Sequence, residues 1–171
     1  MLKIEQLEVK EKSGRCLLKD ISMEIPAGQI IGLTGQSGAG KTTLLRSILG
    51  MLHTNCSISA GTILLDDVDV SMLSRKAHRE LCGKRLGFIP QNPMTAFDSR
   101  LKIGYQMEET FINRLHLNRD ESKALAKKYL IAVNLKDTDR VLQAYPFELS
   151  GGMLQRVAAA ILLAMAPDYI L

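Results

Sequence analysis

The sequence predicts an α/β fold with a parallel central sheet, an antiparallel β part at its N-terminus and an inserted helical part. Three observations carry this. Ile30-Ile31-Gly32-Leu33 is apolar on successive residues, which suits a strand buried on both faces, and a glycine-rich loop follows at once. Residues 2 to 10 and 16 to 25 instead set Leu2, Ile4, Leu7 and Val9, then Leu18, Ile21, Met23 and Ile25, among polar neighbours, the pattern of half-exposed antiparallel strands. Residues 100 to 145 hold no strand-like run but show helical spacing at Ile103/Met107 and at Leu125/Tyr129/Leu130/Val133.

Each element follows from its local chemistry. Pro26-Ala27-Gly28 makes a turn, and from Lys41 the spacing of Leu44, Leu45, Ile48, Leu49 and Leu52 predicts a helix. Gly61 to Leu65 reads as a strand, with Asp66, Asp67 and Asp69 in the polar turn after it. Those carboxylates lack the glycine and distal glutamate of a calcium loop. Ser74 to Cys82 predicts a short charged helix, and Leu86 to Pro90 another buried strand. Ser150 is placed to cap a helix running to about Ala166, and Pro167 to Leu171 begins a further apolar strand.

Composition excludes several classes. Over 171 residues the chain is 46% apolar and 23% charged, the balance of a globular domain rather than a disordered tail or a collagen-like repeat. Cys16, Cys56 and Cys82 form no CxxC pair and read as reduced thiols, not a disulfide framework. The net charge of +4 is spread among acids, with no Trp and 5% aromatics, so no nucleic-acid partner is expected. His53, His78 and His116 are scattered, without ligand spacing, and read as solvated or core histidines. The start lacks a signal peptide's apolar segment, and the longest apolar run, Val157 to Ala166, would make only about 15 Å of helix, half a bilayer core.

Two motifs carry chemistry on their own. Gly35-Gln36-Ser37-Gly38-Ala39-Gly40-Lys41-Thr42 fits G-x-x-x-x-G-K-[ST] between a predicted strand and a predicted helix, the context that pattern requires. Glycines let backbone N–H groups approach phosphate oxygens closely, and the helix start adds a positive dipole end. Lys41 would neutralise the outer phosphates, and the Thr42 hydroxyl would ligate Mg²⁺. Leu149-Ser150-Gly151-Gly152-Met153-Leu154-Gln155-Arg156 supplies a second anion site of the same physics: a hydroxyl, bare amides and a helix dipole. One nucleotide does not need two cradles in one molecule.

On these residues the chain resembles the ATP-binding cassette ATPases over essentially its whole length, so the α/β expectation becomes a P-loop nucleoside-triphosphatase (NTPase) core. The resemblance implies ATP and Mg²⁺ as ligands, with Gly35 to Thr43 around the phosphates. It implies that Ser150, Gly151, Gly152 and Gln155 close in trans on the nucleotide of a second cassette, paired head to tail. It makes Gln91, after the strand at 86–90, a residue that reaches Mg²⁺ and the attacking water while its loop touches membrane subunits. Asn92 to Phe97 and Tyr145 to Glu148 resemble the dipeptide, oligopeptide and nickel importer branch, and Leu154 its nickel or metal-chelate members.

The organisation so implied is residues 1–97 as core plus antiparallel part, 98–148 as helical subdomain, and 149–171 as signature helix and the start of a strand. Lys41, Gln91 and Ser150 would be catalytic, at the cytoplasmic face of a membrane. Two permease subunits and, indirectly, an extracytoplasmic solute-binding protein would be partners. The alternatives are a non-transport cassette acting in DNA repair or on ribosomes, or a nucleotide-binding module without turnover.

Two departures stand out. The stretch Lys10 to Arg15 contains no aromatic residue for adenine to stack on, leaving Arg15 either a cation–π partner or a solvated loop residue. Leu171 comes before the Asp, Glu and His that the family places after this strand. An incomplete central sheet and nucleotide binding without efficient turnover are therefore expected.

Overall fold

The computed structural model describes residues 1–66 and 68–171, and of Arg75 the backbone only; Asp67 of the expected polar turn lies outside the described residues. The chain divides into two compact units, Met1–Cys82 and Gly83–Leu171.

In the first unit, β1 (Leu2–Glu11) lies between β2 (Cys16–Ile25) and β3 (Cys56–Leu65), antiparallel to both, with the short β4 (Val68–Asp69) on the far side of β3. Strand β3 begins five residues before the apolar run that predicts it. Leu2 and Ile4 face inward on one register and Leu7 and Val9 on another, all at most 1% exposed. The three-residue step from Ile4 to Leu7 is a β-bulge. Gln6 takes a φ of 47° and the pairing with β3 slips between Glu5 and Glu8. Opposite it, Gly61 has a φ of 82°, and a Cβ there would stand 2.4 Å from the Gln6 and Glu5 carbonyl oxygens, so only glycine fits.

The buried strand expected at Ile30–Leu33 is not formed. Residues 29–36 belong to no sheet, and Ile30 is fully exposed. A parallel strand draws its hydrogen bonds and the cover of both faces from neighbours, and among the described residues no strand pairs with this segment. The helix after the loop does form, as α1 (Lys41–Ile48), and α2 (Arg75–Leu81) follows the sheet, capped by the Ser74 hydroxyl.

In the second unit β5 (Leu86–Gly87) pairs in parallel with β6 (Tyr169–Ile170), and Ile89 N–H continues the ladder to the Leu171 carbonyl at 3.0 Å. The remaining main elements are helices: α3 (Ile103–Leu115) and α4 (Arg119–Ala132) where the spacing predicts them, α5 (Thr138–Gln143) within the expected helical part, and α6 (Gly151–Met165) after the expected Ser150 cap. Their apolar faces meet at Ile103, Met107, Phe111, Leu130, Leu154 and Val157. Asn118 and Glu121 form a reciprocal capping box that starts α4. Among the described residues no helix is long and apolar enough to cross a membrane.

Candidate phosphate-binding site

The glycine loop ends where α1 begins. Gly35, Gly38 and Gly40 have φ values of 153°, 83° and 90°. At the last two an L side chain would be strained, and at Gly40 a Cβ would also stand 2.5 Å from Leu18 Cδ2. Gly40 takes the N-cap position of α1 without a side-chain cap, so the helix's first N–H groups have no competing carboxylate or hydroxyl there. No acidic residue lies in the first turn. The Lys41 ammonium folds over the loop and donates to the Gly35 and Gln36 carbonyls at 2.7 and 2.8 Å. A positive charge, a helix N-terminus and exposed backbone thus converge on one stretch of chain, which suits an anion. Thr42 is exposed on the first turn and Thr43 is half-buried beside it.

Next to Thr43 a cavity of about 400 Å³ opens, lined by Glu11, Leu17, Arg46, His53 and Asn55 among others. Arg46 and His53 hydrogen-bond to each other at its edge. Arg15 is exposed in the hairpin between β1 and β2 and is not among the residues lining this cavity.

The second helix start is built differently. The Ser150 hydroxyl accepts from Met153 N–H at 3.3 Å, capping α6 as expected. Gly151 and Gly152 are exposed, and a Cβ on either would meet nothing within 4 Å; Gln155 is exposed one turn on. Just before this helix the rings of Tyr145 and Phe147 stack at 5.6 Å, while Glu148 reaches back to accept from Tyr145 N–H at 2.7 Å.

Gln91 is exposed on a loop anchored from both flanks. On one side is β5. On the other, the Asn92 side chain accepts from Met94 N–H at 3.1 Å, starting a tight 3-10 turn over Pro93–Ala96 with Pro93 buried. Further along, the Arg100 guanidinium holds the Asp98 carboxyl down to about 2, helped by the Arg100 backbone N–H. The loop residues 35–43 thus come together in the first unit, whereas Gln91 and Ser150 to Gln155 belong to the second. Sequence reading missed Leu18 as the side chain that closes on Gly40, and the Arg46–His53 pair. Alternation places Leu18 inward without saying against what, and seven residues' separation gives the pair no recognisable spacing.

A glycine loop that opens one helix and a Ser-Gly-Gly start that opens another, on this α/β framework, define an ATP-binding cassette. The sequence profile of the ABC transporter family matches residues 18–171, and the chain belongs to that family. The chain is similar to the oligopeptide transport ATP-binding protein AmiE of Streptococcus pneumoniae, 36% identical over 90% of this chain and 44% of that protein. It is also similar to the metal-staphylopine import system ATP-binding protein CntD of Staphylococcus aureus, 32% identical over 91% and 57%. The nickel import system ATP-binding protein NikD of Staphylococcus aureus is 35% identical over 100% of this chain and 64% of its own length. The chain therefore spans about half the length of these curated relatives, which come from the importer branch that the motifs resemble.

Among solved structures, the dimeric bacterial ABC transporter cassette MJ0796 superposes with a TM-score of 0.85 at 26% identity, over 99% of this chain and 72% of that one. The same cassette bound to ADP and Pi gives a TM-score of 0.85 at 24% identity. The expected cassette fold, with its antiparallel N-terminal sheet and helical part, is met.

Proposed function

We propose that this chain is the ATP-binding part of a subunit that powers import of nickel, a metal chelate or a di- or oligopeptide across a membrane. One observation carries the reading: two glycine-bearing helix starts in one chain, the first carrying an ammonium folded over its own loop, the second with both glycine faces open. The importer names of the relatives support the solute class.

The residues act by binding and positioning. The N–H groups of residues 35 to 43 surround the phosphates, and Lys41 leaves the Gly35 and Gln36 carbonyls for the outer phosphate oxygens, a charge-assisted exchange that favours the anion. The nucleoside end would extend past Thr43 toward the cavity of Leu17, Arg46 and His53, whose described lining residues include no Phe, Tyr or Trp. The exposed Thr42 hydroxyl on the first turn of α1 suits a hard cation that takes oxygen ligands, and Mg²⁺ held by Thr42, with Gln91 as its second proposed ligand, would neutralise charge on the phosphates.

Ser150, Gly151, Gly152 and Gln155 offer their helix start to the nucleotide of a second cassette packed head to tail, with Gln91 and its loop facing two permease subunits at the cytoplasmic membrane face. A solute-binding protein outside would deliver the cargo. In this scheme 1–97 is the nucleotide-binding core, 98–148 the helical subdomain that transmits motion, and 149–171 the signature part. None of these residues is assigned as the base for the attacking water, so binding is the direct readout. In the whole subunit, Ser150→Arg should abolish uptake while leaving ATP binding intact, because it fills the second helix start and spares the first. Normal uptake with Ser150→Arg would refute the coupling role.

A further inference from the structure

The helix that presents Lys41 and Thr42 is short, and its far end is held by an unusual contact. Helix α1 has eight residues, so Lys41 and Ile48 lie only about 10 Å apart along its axis, and two helical turns move as one rod. His78, on α2, is 7% exposed, and its Nε2 lies 3.1 Å from the Ile48 carbonyl oxygen in a buried position. A carbonyl only accepts, so Nε2 carries the proton and donates. That carbonyl belongs to the last turn of α1, whose oxygens have no partner within the helix.

The ring reaches it because residue 50 is glycine. Gly50 has a φ of 63°, and a Cβ there would stand 2.5 Å from both Cγ and Nδ1 of His78. Just past the end of α2, the thiol of its C-cap residue Cys82 approaches the carbonyl of Leu49, the C-cap of α1, at 3.7 Å, so two successive carbonyls where α1 ends meet donors from α2 and its C-cap. The near end is held in a matching way, with Leu18 closed on Gly40. Both ends of the phosphate-loop helix are thus fixed by a side chain pressed onto a glycine.

We propose that His78 is a positioning residue for the phosphate loop: by bonding Ile48 and lying on Gly50 it sets the axis of α1 and hence the place of Lys41 and Thr42. This rests on the nucleotide-binding reading for its consequence, but its geometry can be tested without nucleotide. A residue serving only to fill the core would be replaced by leucine without loss; a positioning residue needs the donor.

The experiment compares His78→Leu with His78→Gln in the full 171-residue chain, with Lys41→Ala in parallel as the test of nucleotide binding itself. In the nucleotide-free proteins, backbone amide resonances of Gly38, Gly40 and Lys41 should move in His78→Leu and stay near their original positions in His78→Gln. With Mg-ATP as the ligand, His78→Leu should bind more weakly, by up to about fivefold where the whole net worth of that hydrogen bond goes into holding the loop, and His78→Gln should restore binding. A folded His78→Leu chain with unshifted loop amides overturns the proposal, as does a His78→Gln chain that behaves like His78→Leu. If His78→Leu does not fold, His78→Gln decides against Gly50→Ala, which should push the ring off Ile48 and move the same loop amides; amides that stay put in Gly50→Ala overturn the proposal. Absence of Mg-ATP binding in the unaltered chain would refute the nucleotide reading and leave the amide comparison to decide the role of His78.

Discussion

The two glycine-bearing helix starts look alike in sequence and differ in construction. At α1 the N-cap is Gly40, held in a left-handed conformation and closed against Leu18, with no side-chain cap. At α6 the N-cap is Ser150, which satisfies Met153 N–H itself, and the glycines that follow face open space. In the first start, then, glycine is a requirement of the fold and of the cradle at once. In the second the cap carries the fold, and the glycines serve only whatever approaches from outside.

That contrast can be broken by substitution. Gly40→Ala has the largest expected effect. An L residue at a φ of 90°, with its Cβ 2.5 Å from Leu18 Cδ2, should cost about 2 kcal/mol and abolish Mg-ATP binding, seen together in denaturant unfolding and calorimetry. Unchanged stability would show that the loop relaxes without consequence. Ser150→Ala should come next, with about 1 kcal/mol lost from the cap and a lower melting temperature. A melt equal to that of the unaltered chain would show that the hydroxyl contributes no cap.

Gly152→Ala reverses the sign. With nothing within 4 Å of its Cβ, alanine on the first turn of α6 should leave the melt where it is or raise stability by up to about 1 kcal/mol. A clear loss would contradict the open face. The smallest effect belongs to the Gln91 loop. Its neighbour Asp98 is held at about 2 against an ordinary 3.8, a lowered carboxyl that stabilises the folded chain above about pH 3.8 and loses that contribution as pH falls through about 2. An NMR titration of the Asp98 carboxyl checks the sign, and a midpoint near 4 would mean that Arg100 does not hold it in solution.

The same contrast explains what the sequence makes legible. The loop 35–42 and the capped start at Ser150 are local: their glycines, lysine and serine act on backbone within a few residues, so spacing alone places them. The helical faces meeting at Phe111, Leu130 and Leu154 are legible for a related reason, since a 3.6-residue period needs no knowledge of the partner. The bulge at Gln6 is half legible, because the step from Ile4 to Leu7 signals a slipped register but not that Gly61 would face it. Ile30–Leu33 reads as a buried strand and is not one, because burial of that kind depends on neighbouring strands rather than on the segment's own residues. The contact of His78 with Ile48 joins residues 30 apart in the chain and leaves no pattern at all.

Equilibrium binding of Mg-ATP to the 171-residue chain, beside the same chain with Lys41→Ala, asks whether the glycine loop holds a nucleotide through its lysine. The unaltered chain should bind saturably, and removal of the ammonium should cost at least about tenfold, as expected for a charge-assisted contact with phosphate. Equal affinity in the two chains, or no binding in either, would contradict the nucleotide-binding reading.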